Sequence, residues 1–420
     1  MNFIERHRKS ATDFTRACKL TFTVMFILIL KKSIKSIQLI LNEFILAENK
    51  DYTVTAGAFT KARKKFKHTA FIELNEDIVE AYYKDDDIKR YEGLRVVAFD
   101  GSRITLPNAS EIKDEFGVRS IGNATGGGIG EYSRATFMSC YDVLNNIAIE
   151  STLGSCEAYE PDLADIMLHK LKPDDLAIFD RGFASYAFMA NLINHKMAFI
   201  IRCPKSSFKS VQKMFDENAA SEEIVTIKVP YKHKEKIAKN KLPNEINIRL
   251  VRIILPTGEI EVLATSMYKL GLIKHDQFEY LYNTRWGVET YFSKLKGRLN
   301  LENFTGKSSE SVKQDFWSTI FISNLETLMT EDIDNELAFA TKTASKTKVK
   351  VNKSVSFNTI KNKAFDIFYY EADKRKIFEQ LDKLFRMNLV SVRNDRKVPR
   401  VPFSNITSYN YQKRKRKHVF

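Results

Sequence analysis

The sequence predicts a chain of the α/β class, a mixed sheet with packed helices and further helical regions before and after it. Three observations predict this. Short apolar, β-branched runs begin at Leu94 and then alternate with helical patterns. The first 92 residues carry helical periodicity, and little in them reads as strand. A second block of alternating residues, Glu222 to Met267, precedes a long proline-free stretch. With 420 residues, 44% hydrophobic and 28% charged, neither general disorder nor a small disulfide-stapled scaffold fits. Four cysteines without a C-x-x-C pair argue against a zinc ribbon and for a reducing compartment.

The elements follow in order. Leu20 to Leu30 is an apolar run closed by Lys31 and Lys32. It is shorter than the roughly 20 residues a membrane span needs, and no small-residue cleavage site follows it, so it reads as a buried helix. Ile34, Ile37, Leu39, Ile40, Leu41, Phe44 and Ile45 gather on one helical face. From Ala58 to Phe66 the cations Lys61, Arg63, Lys64 and Lys65 lie beside an apolar seam, as in a DNA-binding helix or a solvated basic face.

Arg95 to Gly101 reads as a buried strand that delivers Asp100 at its C-terminal edge. Arg134 to Tyr141 and Ile147 to Leu153 flank a turn at Asn145-Asn146, three antiparallel strands in the simplest arrangement. Helix is expected from Pro161 to Leu171, strand from Leu176 to Asp180, helix from Ser185 to His195 and strand from Met197 to Arg202. Ile246, Ile248 and Leu250 alternate with polar residues, Pro256-Thr257-Gly258 turns the chain, and Ile260 to Thr265 returns. That pattern reads as an all-β insertion at about 205–267. Ile273 to Leu299 reads as one long helix interrupted by Gly287. Residues 331–363 lose aromatics and gain Lys, Thr and Ser, as a linker would, before a helix around Ile367 to Phe385 and a basic tail, Lys413 to Lys417.

The net charge is +15, and it is uneven: +5 over residues 1–95, −1 over 96–330 and +11 over 331–420. Basic ends around a neutral centre suit a polyanion such as nucleic acid, because neutralised phosphates release counterions. An ordinary solvated surface would also tolerate this charge. The domains expected are a helical DNA-binding region at 1–92, a catalytic domain at 93–330, and a basic linker with C-terminal helix and tail at 331–420.

Two constellations bear chemistry. Tyr282, Arg285, Glu289 and Lys296 fall at i, i+3, i+7 and i+14, which on a regular helix puts them within one narrow sector. A hydroxyl, a guanidinium, a carboxylate and an ammonium on one stripe are costly to bury unless they meet a phosphate and a metal, although a solvated charged face would carry the same pattern. Asp100 and Asp180 each close an apolar strand and can project from one sheet edge, or merely begin turns. Three acids converging with Glu289 would be neutralised by two Mg²⁺ ions about 3.5 to 4 Å apart, suited to in-line displacement at a phosphodiester. The glycines from Gly122 to Gly130 lack a following Gly-Lys-Ser/Thr and read as a mobile loop, and no H-E-x-x-H occurs among the seven histidines.

These residues resemble those of the DDE transposases of bacterial insertion sequence family 4, whose signature is Y-x2-R-x3-E-x6-K. The signature is complete as Tyr282, Arg285, Glu289 and Lys296. Phe99-Asp100-Gly101-Ser102 and Asp180-Arg181-Gly182-Phe183 resemble the family's other two acidic blocks, and matching text runs from about Leu94 to Leu325, including Glu302 to Gly306. The resemblance implies a ribonuclease H-like mixed-sheet core with an all-β insertion before the Glu, flanked by helical N- and C-terminal regions. It implies catalytic, metal-ligating Asp100, Asp180 and Glu289, two Mg²⁺ ions with Mn²⁺ able to substitute, and DNA phosphates held by Tyr282, Arg285 and Lys296. Lys296, two helical turns beyond Glu289, is expected on a phosphate away from the cut, whereas Arg285 is expected close to it or paired with Glu289.

Trp286 can stack on a displaced base, although packing between helix and sheet is the more ordinary role of such a residue. The partners implied are double-stranded DNA, as element inverted repeats and target, and a second copy in a DNA-bound dimer, with no membrane. The setting implied is a bacterial cytoplasm, nucleoid-associated. The activity implied is Mg²⁺-dependent cleavage and strand transfer by a cut-and-paste route. A catalytically inactive transposase-derived repressor and a metal-dependent nuclease without strand transfer are the alternatives.

Overall fold

Thr21 starts the apolar helix expected near the N-terminus, its hydroxyl accepting from the Val24 amide. The helix has no polar face, and Val24, Met25, Ile27 and Leu30 are all but fully buried. The computed structural model describes residues 2–16, 18–47, 51–84, 86–122, 128–231, 234–268, 272–344, 348–371 and 373–392. The tail from Lys413 to Lys417 and the middle of the Gly122 to Gly130 run lie outside them.

The N-terminal stretch forms α1 (Phe3–His7), α2 (Phe22–Leu30), α3 (Ile37–Ala47), α4 (Ala56–Arg63) and α5 (Thr69–Tyr83). There follow β1 (Arg95–Thr105), α6 (Ser110–Phe116), β2 (Val118–Gly122), β3 (Gly128–Asp142), β4 (Ile147–Ser155), α7 (Glu160–Met167), β5 (Asp175–Phe179), α8 (Tyr186–Asn194) and β6 (Ala198–Cys203). Next come α9 (Lys209–Lys213), β7 (Glu222–Lys228), α10 (Lys234–Lys239), β8 (Glu245–Ile254), β9 (Ile260–Thr265), α11 (Gln277–Thr284) and α12 (Trp286–Ser293), with a π-helical turn at Lys294–Arg298. The chain ends in α13 (Ser309–Ala344), β10 (Val349–Val351), α14 (Lys353–Asn362), α15 (Ala364–Phe368), α16 (Lys374–Met387) and β11 (Leu389–Ser391). None of the helices among the described residues is long and apolar enough to cross a membrane.

The chain packs as two units, one of residues 1–84, 104–135 and 293–420, the other of 85–103 and 136–292. The sheet has nine strands in the order β2-β3-β1-β5-β6-β9-β8-β7, with β4 beside β3. β1, β5 and β6 run parallel, and β9, β8 and β7 continue the sheet antiparallel, so the sheet is mixed. Register between β1 and β5 is pinned by a buried fork. Arg95 pairs opposite Asp175, and its Nε and Nη2 each donate at 2.6 Å to one carboxylate oxygen. Val96, Leu176, Ile178, Ile200, Val251 and Leu263 form the sheet side of a core that Phe278, Leu281 and Tyr282 of α11 close.

Three expectations are corrected. The 205–267 stretch is not all-β, because α9 and α10 lie in it, and its strands extend the central sheet beyond β6. Alternation reveals a strand but not which sheet it joins. Residues 331–344 are not linker but the second half of a 36-residue helix, whose later turns turn polar because much of their surface faces solvent. Ile273 to Leu299 is not one uniform helix: α11 and α12 are separate segments and a π turn follows, which ends the regular 100° spacing on which the stripe depended.

In the unit that holds both termini, α13 packs on α2 and α5. Arg63 fixes α4 to it, donating to Gln314 Oε1 (2.6 Å), Thr305 Oγ1 (2.6 Å), the Ser311 carbonyl (2.9 Å) and Asp315 Oδ1 (2.8 Å). Of the basic residues expected on a DNA-facing helix, Arg63 is therefore a buried structural tie, while Lys61, Lys64 and Lys65 remain exposed.

Candidate active site

The last parallel pairs of β1 and β5 are Ala98 opposite Ile178 and Phe99 opposite Phe179, whose rings stack at 4.9 Å between centroids. Asp100 and Asp180 are the next residue of each chain. The apolar run suggests a strand from Arg95 to Gly101, but β1 runs on to Thr105; what ends at Asp100 is the unbroken burial of Arg95 to Phe99, although Ile104 is buried again. Each aspartate has one oxygen tied to backbone: Asp100 Oδ1 accepts from the Gly101 amide (2.9 Å), and Asp180 Oδ1 from the Gly182 amide (2.8 Å). The second oxygen of each is left to meet another group.

Glu289 reaches the same place through Arg285. Arg285 Nη2 donates to Glu289 Oε1 at 2.9 Å, and Nη1 lies 3.5 Å from Asp100 Oδ2. The pairing of Arg285 with Glu289, one of the two roles expected for it, is thus present. The guanidinium carbon lies 5.8 Å from the Tyr282 ring centroid and 5.0 Å from that of Trp286, so two aromatic rings attract the cation. Arg285 is buried, and its Nε is sequestered from solvent with no hydrogen-bond partner. Gly287 lets α12 lie close to the β3–β4 turn, since a Cβ there would stand 3.2 Å from the Val143 side chain.

The electrostatics are those of acids partly withdrawn from water and set near one another. The Asp100 carboxyl is pushed up to about 7: burial is the largest cause, Arg285 opposes it, Asp180 and Glu289 add to the rise, and the Gly101 amide opposes it. Burial opposes the charge of Arg285, but Tyr282, Asp100 and Glu289 outweigh it and hold its pKa above the usual value.

A fourth carboxylate joins them. Glu160, the first residue of α7, is pushed upward by burial and by Asp180, against the pull of Arg103. A Cβ on Gly101 would come within 2.6 Å of Glu160 Oε1, so only glycine leaves the carboxylate its position beside β1. Sequence reasoning missed Glu160 because Tyr159-Glu160-Pro161 reads as an ordinary helix start, acidic residue and N1-type proline included.

The other expected residues divide. Tyr282 is buried in the sheet–α11 core, 3% exposed, and burial raises its hydroxyl pKa. Trp286 is not packed between helix and sheet: it is 46% exposed. Lys296 lies on the π turn in the other unit, where burial lowers its pKa, the Glu302 carboxylate raises it and Arg134 lowers it. The oxygen-only donors Asp100, Asp180, Glu289 and Glu160 are of the kind that suits a hard divalent cation, and the Asp100 carboxyl, raised first by burial and then by Asp180 and Glu289, would be drawn down by one. As they stand, no three His, Cys, Asp or Glu side chains among the described residues converge closely enough to hold an ion, and Arg285 bridges Asp100 and Glu289 instead.

Comparison with known proteins places the chain in a family. Residues 91–325, more than half of the chain, match the family described as Transposase DDE domain. The chain belongs to that family. No protein of the curated set matches the sequence. Among solved structures, the DDE-domain chain is similar to one titled as the cryo-EM structure of piggyBac transposase synaptic complex with hairpin DNA, at 9% identity and a TM-score of 0.44, over 87% of this chain and 75% of that one.

Proposed function

We propose that this DDE-domain chain is the transposase of a bacterial insertion sequence of family 4. In this reading it binds the terminal inverted repeats of its element, as a dimer on DNA in the bacterial cytoplasm, and moves the element by cut-and-paste. The observation that carries the reading is the β1–β5 register, which brings Asp100 and Asp180 to the same sheet edge, together with the Arg285 bridge from Asp100 to Glu289.

Asp100, Asp180 and Glu289 then hold two Mg²⁺ ions, or Mn²⁺ in their place, with Glu160 adding charge beside Asp180. The chemistry those ions supply when bound is neutralisation of the attacking and leaving oxygens of a phosphodiester. The residues of the chain orient the DNA. Arg285, whose guanidinium already lies at Asp100 and Glu289, grips a phosphate near the cut, with the Tyr282 ring beside it. Lys296 takes a phosphate further along, and the exposed ring of Trp286 receives a displaced base. Cleavage by water frees a 3′-hydroxyl at the element end, and in the joining step that hydroxyl, losing its proton, attacks a target phosphodiester and displaces the target strand's own 3′-oxygen, which leaves as a 3′-hydroxyl.

The test is a set of variants assayed on a duplex that carries the element end. Asp100→Asn, Asp180→Asn and Glu289→Gln each abolish Mg²⁺-dependent cleavage and retain gel-shift binding. A variant that cleaves at the wild-type rate removes its residue from the site. Joining of a labelled, precut end to target DNA separates the transposase from a nuclease that cleaves without joining, and from a repressor that binds without cleaving.

A further inference from the structure

The unit that holds both termini contains a cavity of about 500 Å³ between α4 and the start of α13. Thr60, Arg63 and Lys64, at i, i+3 and i+4, turn one face of α4 to it. The loop 305–308 and the first turn of α13 line it as well, and Lys9 joins from the segment after α1. These walls are fixed from behind. The Thr305 amide donates to Asp315 Oδ2 at 2.6 Å, and the Ser308 amide to Ser311 Oγ at 3.0 Å. The Lys9 amide donates to the Lys65 carbonyl and the Lys67 amide to the His7 carbonyl, both at 2.9 Å, so the segment after α1 runs beside the end of α4.

The charges at this surface are sorted. Lys65 pairs with Asp13 at 3.5 Å, Lys313 pairs with Glu115, and Lys67 Nζ donates to the Arg6 carbonyl at 3.1 Å. Lys9, Lys64 and Lys307 line the cavity, are exposed, and form no ion pair and no side-chain hydrogen bond among the described residues. Two carboxylates line it too, and both are engaged within the wall. Glu310 Oε1 accepts from the His68 amide at 2.6 Å and lies 3.0 Å from His68 Nδ1, and Glu111 Oε1 accepts from the Ser309 amide at 3.0 Å. The charge of Arg63 is met by Asp315. Three ammoniums from three separate segments thus share one concave surface, and Lys61, exposed and equally without an ion pair among the described residues, continues it along α4. Phosphate oxygens accept from several ammoniums at once, and each duplex phosphate so neutralised releases counterions. We propose that the cavity lined by Lys9, Lys64 and Lys307 docks the sugar–phosphate backbone of duplex DNA, as an anchor built from none of the acidic residues of the candidate active site. The assignment to DNA rests on the transposase reading above.

The test uses the full chain with Lys9→Gln, Lys64→Gln and Lys307→Gln, singly and together, all at exposed positions, and circular dichroism checks the fold of each. Lys376→Gln, at an exposed lysine of α16 in the same unit, is the control for loss of charge elsewhere. Affinity for an element-end duplex and for a scrambled duplex of the same length is measured by fluorescence anisotropy over a series of salt concentrations. Each single variant is expected to reduce the log–log salt slope by about 0.9, the value for one lost duplex phosphate contact, and the triple variant by about three times that, while Lys64→Arg keeps the wild-type slope. The losses should be equal on the two duplexes, because phosphate contacts carry no sequence information, and Lys376→Gln should match wild type. A triple variant with the wild-type slope, a Lys376→Gln loss as large as that of each single variant, or a defect confined to the element end overturns the anchor and leaves the transposase reading standing. A wild-type chain that binds neither duplex overturns the anchor and that reading together.

Discussion

Replacing Arg285 by Ala separates two roles that cleavage assays alone confuse, the grip on a DNA phosphate and the neutralisation of the acids. At 2.9 Å from Glu289 and 3.5 Å from Asp100, the guanidinium attracts each carboxylate by about 5 kcal/mol at an effective dielectric of 20. The cost of burying Arg285, and the partial exposure of Glu289, leave a net contribution of about 2 to 4 kcal/mol. Arg285→Ala should therefore lose about that much stability to urea in the metal-free protein. It should also bind Mn²⁺ about ten to a hundred times more tightly in calorimetry, since the cation competing for Asp100 and Glu289 is gone. Cleavage should fall all the same, and Arg285→Lys should recover the stability better than the cleavage, because an ammonium cannot grip a phosphate through a planar fork. Unchanged Mn²⁺ affinity and unchanged stability in Arg285→Ala would refute the counter-charge role and leave only the phosphate contact.

Glu160→Gln should slow cleavage and weaken Mn²⁺ binding about tenfold, and Gly101→Ala, which drives the Glu160 carboxylate from its place beside β1, should reproduce both effects; a Gly101→Ala protein that matches wild type in both assays removes Glu160 from the site. Arg63→Met leaves the fully buried Asp315 without its guanidinium and should cost about 3 to 5 kcal/mol in urea unfolding, whereas a loss below 1 kcal/mol would mean that the Thr305 amide and hydroxyl suffice. Lys361 should make the DNA-free protein more stable as pH rises. Its folded pKa of about 7 lies below the unfolded value of 10.5, so in the window between them the unfolded chain binds the extra proton, and stability is lost as pH falls toward 7 and below. Relative to Lys361→Met, wild type should gain about 1 kcal/mol between pH 6 and pH 8, read from urea midpoints, and parallel curves would show an ordinary, solvated lysine.

The sequence by itself determined most of the elements and which residues make up the candidate site. The strands at 175–179, 198–203 and 260–265 lie within a residue or two of where apolar runs and turn residues put them, because burial on both faces leaves an unbroken apolar signature. Asp100, Asp180, Arg285 and Glu289 stood out because an acid closing an apolar run, or a fixed polar spacing on a helix, is a pattern local to a few residues. Tertiary structure alone decided the rest. The strands of the 205–267 stretch join the central sheet through β9 beside β6, a pairing between residues some sixty positions apart that no local period encodes. The break of the 273–299 helix into two segments and a π turn sets Lys296 in a different unit from Glu289, although the residue spacing is that of one stripe. Glu160 is remote in sequence from Asp180 and Gly101 and ordinary where it stands, and only the folded arrangement makes it their neighbour.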